Sequence, residues 1–269
     1  MNSPSEAQFE IAGVQSNRMI SEGIWKMVAI APRISALPRP GQFVHVRVSS
    51  GFKPFLRRPL SLGPCLDGKI TLIYAVRGEG TRLLTTKVRG DPIDLIGPLG
   101  RGFDLPPPDL IPILVGGGIG VVPLLFFNYS LGCSGYPRQF LLGVRSAAFL
   151  NVNENDIARR RIKIASDDGS VGFKGNVIQL LEKTLDEKPD RQVMIFACGP
   201  NPMLAELKRL CLERNLEAQV SLEVPMGCGV GACQSCAVAR ADGSGYWLVC
   251  QDGPVFNIRD VLLDPGTGV

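Results

Sequence analysis

The sequence predicts three parts: a small antiparallel β-barrel, a doubly wound parallel α/β sheet, and a short cysteine-rich segment. Short alternating apolar runs separated by Gly and Pro fill residues 8–100. Longer apolar runs that alternate with helical segments follow in residues 106–222, and four cysteines lie within residues 223–269. Consecutive prolines at 106–108 resist both helix and strand pairing. The predicted units are therefore 1–105, 106–222 and 223–269.

The barrel prediction rests on four apolar runs whose spacing is typical of short β-strands. Turn residues such as Pro38-Arg-Pro-Gly41 and Asp67-Gly68 separate the runs. A short helix is expected near residues 80–86, with Thr81 as a cap and two leucines directed inward. The four runs are 25–30, 43–48, 69–76 and 94–96.

The sheet prediction rests on five apolar runs with helical segments between several of them, a pattern that indicates parallel strands with crossovers. Residues 176–185 form one amphipathic segment. Residues 201–211 form another, in which Asn201 is expected to cap the helix and Pro202 to occupy its first position. The five runs are 111–115, 140–144, 162–165, 193–197 and 218–222.

Composition limits the classes of protein that fit. The chain has 269 residues, 45% of them hydrophobic, and a formal net charge of +4, which does not suggest nucleic-acid binding. The N-terminus lacks the pattern of a secretory signal, so we expect a reducing cytoplasm, in which clustered cysteines more often hold metal than disulfides. Residues 110–137 carry no charge. Glycines and prolines interrupt them, which favours a strand, a turn and a buried helix over a membrane span.

The cysteine-rich segment carries the most specific signal. Cys228, Cys233 and Cys236 form a C-x4-C-x2-C pattern, and Cys250 follows thirteen residues later. This is the spacing of plant-type [2Fe–2S] sites, and the intervening glycines can turn backbone N–H groups toward sulfur. Structural zinc usually requires a second C-x2-C or C/H pair. Zinc binding and buried, unliganded cysteines remain the alternatives.

Two glycine-containing turns are candidates for dinucleotide binding, because both follow strands of the predicted sheet. Each can equally be a tight turn without a ligand, since neither matches the G-x-G-x-x-G pattern. The residues of the first turn are Gly116, Gly117, Gly118 and Gly120, and those of the second are Cys198, Gly199 and Pro200.

Arginines in the barrel are candidates for phosphate binding. Arg57 and Arg58 precede Pro59, Leu60 and Ser61, and the turn Gly78-Glu-Gly-Thr81 before a short helix offers N–H donors and a hydroxyl for the same phosphate. Two adjacent arginines are, on their own, more often surface charge. The single histidine, His45, lies in an alternating run and is expected to be a barrel residue rather than a catalyst.

The motifs together resemble the iron–sulfur electron-transfer subunits of the NAD-linked (class 1B) dihydroorotate dehydrogenases, within the ferredoxin–NADP reductase superfamily. The resemblance runs through nearly the whole chain in order. Its motifs are residues 57–62, 80–81, 97–100, 116–120, 167–170 and 198–200, followed by the four cysteines.

The resemblance implies a barrel that binds FAD, a sheet that binds NAD and a C-terminal [2Fe–2S] segment. Leu60 stands where a Tyr stacks on the flavin in the wider superfamily, so that stacking is absent here. Cys198 is either close to the nicotinamide or a small buried residue. The residues that match flavin-binding positions are Arg58, Pro59, Leu60, Ser61, Ile73, Tyr74, Ala75, Gly80 and Thr81.

The implied function is to accept electrons from an FMN-containing catalytic subunit that oxidises dihydroorotate, in a heterotetramer, and to pass them to NAD+ for pyrimidine biosynthesis. No residue is expected to act as an acid or base. Arg145 and Ser146 leave NADP open as the alternative, and Met226, Tyr246 and Trp247 are the expected contact surface. The rival functions are a reductase subunit for ferredoxin, hydrogenase or a sulfur reductase, and a zinc-binding scaffold without enzymatic activity.

Overall fold

The computed structural model describes residues 7–36, 38–150, 162–187 and 191–263. Six antiparallel strands form its first sheet, in the order β4-β3-β6-β1-β2-β5. Leu62 and Leu72 form a bridge between the two edges of this sheet, and the N–H of Gly63 donates to the Thr71 carbonyl at 2.8 Å. The sheet is therefore a nearly closed barrel, as predicted. The strands are β1 (Gln8–Ser21), β2 (Ile24–Ile30), β3 (Phe43–Arg47), β4 (Arg58–Ser61), β5 (Lys69–Ala75) and β6 (Pro92–Leu99).

Two short helices lie among the barrel strands, α1 (Pro32–Ser35) and α2 (Glu79–Thr85). The predicted helix at 80–86 is thus confirmed. Thr81 caps it from the third helical position: its hydroxyl accepts from the N–H groups of Arg77 and Gly78 at 2.9 and 3.3 Å. Leu84, near the end of α2, is fully buried in the barrel core and anchors the helix there.

Strand β1 was not predicted from the sequence, because at its start a polar side chain faces the core and apolar side chains face outward. Glu10 is buried, whereas Phe9 and Ile11 are each 57% exposed. The Glu10 carboxylate accepts from the backbone N–H groups of Arg33 and Ile34 at 3.2 and 2.9 Å, and so satisfies the start of α1. A polar residue inside and apolar residues outside conceal the strand from a pattern based on hydrophobicity.

The second sheet is parallel in its central part and confirms the doubly wound prediction. It contains β7 (Ile111–Gly117), β8 (Gln139–Val144), β9 (Ile162–Ser166), β11 (Val193–Cys198) and β12 (Glu217–Ser221), with the two-residue β10 (Phe173–Lys174) at one edge. From β7 the chain adds strands first on one side, as β8 and β9, and then on the other, as β11 and β12. The strand order therefore reverses between β7 and β11.

In the described part of the chain, three helices cover this sheet: α3 (Val121–Cys133), α4 (Val177–Asp186) and α5 (Asn201–Glu213). A capping box begins α4, in which the Asn176 side chain accepts from the Gln179 N–H at 2.9 Å and the Gln179 side chain accepts from the Asn176 N–H at 2.9 Å. The prediction that Asn201 caps α5 is wrong. Pro200 occupies the cap position with an extended ψ of 148°, so Asn201 and Pro202 are the first two helical residues.

The uncharged residues 110–137 form β7, a glycine turn and α3, as predicted. Most of α3 is buried on all sides, which explains its uniformly apolar sequence. Among the helices of the described chain, none combines the length and the apolar character that a bilayer span requires.

The C-terminal segment is joined to both other parts. Its strands are β13 (Ala237–Ala239), β14 (Tyr246–Leu248) and β15 (Val255–Asn257); β13 and β14 form a hairpin, and β15 pairs antiparallel with β12. Near β15, the Gly253 carbonyl accepts from the N–H of Arg101, just beyond β6. The division into three units stays a prediction, and the hydrogen-bonded sheet continues across its second boundary.

The hydrophobic core follows the same continuity. One cluster of buried residues contains Cys236 and Cys250 together with Leu207 of α5, and it reaches Phe43 and Leu99 of the barrel. The segment is too short to bury much apolar area by itself, and each fully buried aliphatic side chain contributes about 1.5–3 kcal/mol. Two of the four cysteines are therefore held by packing that the other two parts supply.

Candidate functional site

Backbone N–H groups of the cysteine loop point at thiol sulfurs. The N–H of Cys228 donates to the Cys233 sulfur, and the N–H of Cys233 donates to the Cys228 sulfur, each at 3.4 Å. Gly229 and Gly231 take positive φ angles of 73° and 80°, which side chains rarely tolerate. The N–H of Gly231 donates to the Cys250 sulfur at 3.1 Å. Glycine at these positions thus supplies both the loop path and the donors.

The four cysteines are arranged as two pairs. Cys228 and Cys233 form the reciprocal pair, and the N–H of Cys250 donates to the Cys236 sulfur at 3.4 Å. Within the described residues, no three His, Cys, Asp or Glu side chains converge as ligands of one ion. A binuclear centre, in which each iron takes two cysteines, fits this arrangement better than one tetrahedral zinc ion does.

The pKa values of two of the cysteine thiols agree with a site in which thiolates bind a metal. The Ser235 hydroxyl, 3.2 Å from the Cys233 sulfur, lowers the pKa of Cys233 to about 6, with further help from backbone N–H groups. Burial raises the pKa of Cys250 to about 12. Cys233 is therefore mostly ionised at neutral pH, whereas Cys250 needs the charge of a bound metal to lose its proton.

The two glycine turns of the sheet lie side by side. Gly116 on β7 is in register with Cys198 on β11, at the point where the strand order reverses. A Cβ at Gly120 would lie 2.6 Å from the Cys198 carbonyl oxygen, and one at Gly199 would lie 3.1 Å from the Gly117 nitrogen. The turns meet backbone to backbone because glycine leaves room for them. This edge is where open α/β sheets bind nucleotides.

The thiol of Cys198 is not presented at this edge. Its side chain is 1% exposed and lies in the core with Phe196 and Leu114. Burial raises the pKa of Cys198 well above its ordinary value, and the charge of Glu223 adds to the effect. The thiol is therefore neutral and enclosed, which favours the interpretation of Cys198 as a small core residue.

The barrel brings Arg58 to the start of α2. A Cβ at Gly80 would lie 2.5 Å from Arg58 Nε and 2.8 Å from its Nη2, so the guanidinium lies directly over the first turn. Gly80 permits this approach. A guanidinium beside unpaired N–H groups forms a site for an anion such as a phosphate group. The fold thus brings Arg58 of β4 to Gly80 and Thr81 of α2.

Arg57 has a different role from that suggested by the sequence. Its Nη2 lies 2.8 Å from Asp94 Oδ1, and its Nη1 donates to the carbonyls of Asp94 and His45 at 3.1 and 3.4 Å. These contacts tie β3, β4 and β6 together. Arg57 is therefore a structural residue, and of the two arginines only Arg58 reaches the turn at Gly80.

Strand β5 directs Thr71, Ile73 and Ala75, rather than its tyrosine, to the outer face of the barrel. The Tyr74 ring is 2% exposed inside the barrel, and its hydroxyl donates to Asn17 Oδ1 at 3.0 Å. Leu60 also packs against the barrel core. Ile73 packs instead against the core of the parallel sheet, as does Ile119 of the glycine turn, and β5 runs beside residues 118–120. The barrel therefore meets the predicted dinucleotide site along β5.

Sequence reasoning missed the contact between the barrel and the cysteine loop. The ring of His45 on β3 lies against Gly229, where a Cβ would be 2.7 Å from the ring atoms Cε1 and Nε2. No local pattern reveals this contact, because the two residues belong to opposite ends of the chain.

The barrel, the parallel sheet and the paired cysteines define an iron–sulfur oxidoreductase of the ferredoxin reductase type. The solved structure of an NADH-dependent reduced ferredoxin-NADP oxidoreductase, described for flavin-based electron bifurcation, superposes with a TM-score of 0.82 at 27% identity, covering 94% of this chain and 90% of that one. A ferredoxin NADP+ reductase from Neisseria gonorrhoeae with bound FAD and NADP shares the fold, with a TM-score of 0.65 at 17% identity, covering 78% of this chain and 92% of that one.

Sequence comparison gives the particular family. Residues 223–262 match the family model "Iron-sulfur cluster binding domain of dihydroorotate dehydrogenase B". The "Dihydroorotate dehydrogenase B (NAD(+)), electron transfer subunit" of Geobacillus kaustophilus is 41% identical over 258 residues, 93% of this chain and 97% of the relative. That of Desulforamulus reducens is 38% identical over 251 residues, 91% and 95%. The chain belongs to the family of dihydroorotate dehydrogenase B electron transfer subunits, which confirms the resemblance inferred from its motifs.

Proposed function

We propose that this chain passes electrons from a partner that oxidises dihydroorotate, through a [2Fe–2S] cluster and FAD, to NAD+. The observation that carries the proposal is that three candidate sites adjoin through the barrel. Strand β5 runs beside the glycine turn 118–120, and His45 of β3 contacts Gly229 of the cysteine loop. Electron carriers bound at these sites would follow one another in the order that the reaction requires.

The protein's part in this reaction is to bind the cofactors and to orient them relative to one another. Arg58 and the N–H groups around Gly80 hold the flavin pyrophosphate, and Ile73 and Ala75 line the flavin with the backbone of β5. The turns Gly116–Gly120 and Cys198–Pro200 hold the dinucleotide against it. When bound, the flavin exchanges a hydride with nicotinamide and single electrons with the cluster. Cys228, Cys233, Cys236 and Cys250 hold the two irons.

The cluster loop also offers a surface for the partner. Val230 is 52% exposed, and the Cys233 side chain is exposed too. Of the three residues expected at the contact surface, Tyr246 is 69% exposed, whereas Met226 is half-buried against the shared core. The Trp247 ring is also half-buried, and its Nε1 donates to the Asp260 carbonyl at 3.1 Å. We therefore assign the docking surface to the loop around Val230 together with Tyr246.

The proposal includes the finer features that the resemblance implies. The partner is an FMN-containing catalytic subunit, the assembly is a heterotetramer, the reaction belongs to cytoplasmic pyrimidine biosynthesis, and the dinucleotide is NAD. Arg145, the candidate for contact with a 2′-phosphate of NADP, is exposed at the end of β8. Its position is compatible with solvent contact alone, and NAD is supported by the names of the relatives.

The test follows flavin and cluster absorbance without oxygen, in the chain alone and in its complex with a co-expressed catalytic subunit. We expect NADH to bleach both chromophores in the isolated chain, and dihydroorotate to bleach them in the complex alone. If NADH bleaches them but dihydroorotate does not, even in a stable complex, the chain is a reductase for another partner. A colourless chain with bound zinc would contradict the redox function altogether.

Removal of the Arg58 guanidinium tests the flavin site. We expect Arg58→Ala to bind FAD about 10- to 100-fold more weakly, because a hydrogen bond to a charged group contributes about 1.5–3 kcal/mol. Arg82→Ala is the matched control, since Arg82 is exposed on α2, the helix over which the Arg58 guanidinium lies. The measurement is the dissociation constant for FAD added back to flavin-free protein. Equal losses in the two variants would remove Arg58 from the site.

A further inference from the structure

His45 occupies the boundary between the barrel and the cysteine loop. Its neighbours Val44 and Val46 are fully buried in the barrel core, and the alternation of β3 directs Phe43 and His45 to the opposite face. The rings of Phe43 and His45 lie 5.8 Å apart, centre to centre. On the neighbouring strand β4, the residue opposite His45 is Pro59 of the flavin motif. His45 thus lies next to β4, the strand that carries the proposed flavin motif.

The imidazole edge faces the loop that carries the cysteines. A Cβ at Gly229 would lie 2.7 Å from Nε2 and 2.9 Å from Cδ2 of His45. Gly229 directly follows Cys228, and its φ of 73° places it in the left-handed region. A side chain at this position would force the loop away from the ring. Glycine here allows the imidazole to approach the backbone next to a proposed iron ligand.

The ring nitrogens lack partners in the described structure. Both Nδ1 and Nε2 are buried without a hydrogen bond to any described residue, in a side chain that is 0% exposed. Burial, with a smaller effect from the Arg57 charge, lowers the pKa of His45 to about 4, so the ring is neutral near pH 7 and carries one N–H. An unpaired buried donor costs about 1–3 kcal/mol, and native proteins rarely leave one.

We propose that His45 donates a hydrogen bond to a sulfur atom of the bound cluster beside Cys228, and thereby raises its reduction potential. The inference rests on the proposed function, since it requires the cluster at the four cysteines. Sulfur in such a cluster accepts hydrogen bonds, and each donor stabilises the additional negative charge of the reduced form. The barrel therefore contributes to the cluster a side chain that the C-terminal segment does not contain.

The single histidine of the chain makes a direct test possible. Untagged full-length protein is produced with ¹⁵N-labelled histidine, reduced without oxygen, and examined by pulsed electron paramagnetic resonance. We expect a ¹⁵N coupling to the reduced cluster that is absent from unlabelled protein. A normal cluster signal without the ¹⁵N coupling would overturn the role of His45. A chain without any cluster signal would instead contradict the cluster site on which the inference rests.

Substitutions test the consequence for the potential. We expect His45→Leu to shift the cluster midpoint to a more negative value with unchanged iron content, and His45→Gln, which keeps an N–H donor, to shift it less. Phe43→Leu is the matched control, because it alters the packing on the same face without removing a donor. If His45→Leu has the wild-type midpoint, or if Phe43→Leu shifts it equally, the inference is wrong. The labelling result stands by itself if a variant does not fold.

Discussion

Replacement of Cys233 by Ala yields a yellow chain that retains FAD but no [2Fe–2S] cluster. Cys233 is exposed, so its removal disturbs the core little, yet it forms the reciprocal N–H to sulfur pair with Cys228. An iron left with one protein thiolate lacks the four-cysteine ligation that such clusters require. We expect iron to fall from about two atoms per chain to near zero. The measurement is iron and flavin content after anaerobic purification.

The matched control is Cys133→Ala, because Cys133 is also exposed but lies at the end of α3. We expect it to keep both iron and flavin. In the Cys233→Ala chain, NADH should still bleach the flavin, whereas dihydroorotate should no longer do so in the complex with the catalytic subunit. A cluster retained at full iron content after loss of Cys233 would remove this residue from the ligand set.

Gly120→Ala is expected to weaken NADH binding by about 5- to 150-fold. The new Cβ would lie 2.6 Å from the Cys198 carbonyl oxygen and 2.8 Å from the Gly199 nitrogen, both of them backbone atoms. The two turns must separate to relieve this overlap, at a cost of about 1–3 kcal/mol that is typical of overpacking. The measurement is the dependence of the rate of flavin bleaching on the concentration of NADH.

Gly116→Ala is the comparison within the same turn. The atoms nearest to a Cβ there would be Leu124 Cδ1 at 3.4 Å, the Val121 Cα at 3.5 Å and Leu142 Cδ1 at 3.6 Å, which are ordinary contacts. We expect a much smaller loss of affinity than in Gly120→Ala. Similar NADH dependence in both variants would mean that the close contact between the two turns does not shape the dinucleotide site.

The fold could be predicted from the sequence where the signal is local. The apolar runs of the parallel strands, the glycine turns and the amphipathic segment 176–185 each lie within a few residues, and each appears in the structure. Strand β1 was not predicted, because its polar residue Glu10 is buried, where it caps α1. Strand β15 was not predicted either, because three residues are too few to show an alternating hydrophobic pattern and its pairing with β12 depends on the whole fold.

The candidate sites divide in the same way. The four cysteines were recognisable by spacing alone, because three of them lie in one loop whose glycines are part of the motif. The local pattern did not distinguish Arg57 from Arg58, although the family resemblance assigned only Arg58 to the flavin site. In the structure Arg57 pairs with Asp94, and Arg58 lies over Gly80, so their roles depend on what the neighbouring strands and the helix place beside them.

The sequence by itself determined the types of site in this protein, since a thiolate loop, a glycine turn and an arginine-containing strand each carry their chemistry in a short segment. Only the tertiary structure decided how the sites adjoin. The contact of His45 with Gly229 and the position of β5 beside the turn 118–120 join segments distant in sequence. The physical reason is that packing between distant segments depends on the complete core, whereas ligand spacing and turn geometry depend on neighbouring residues.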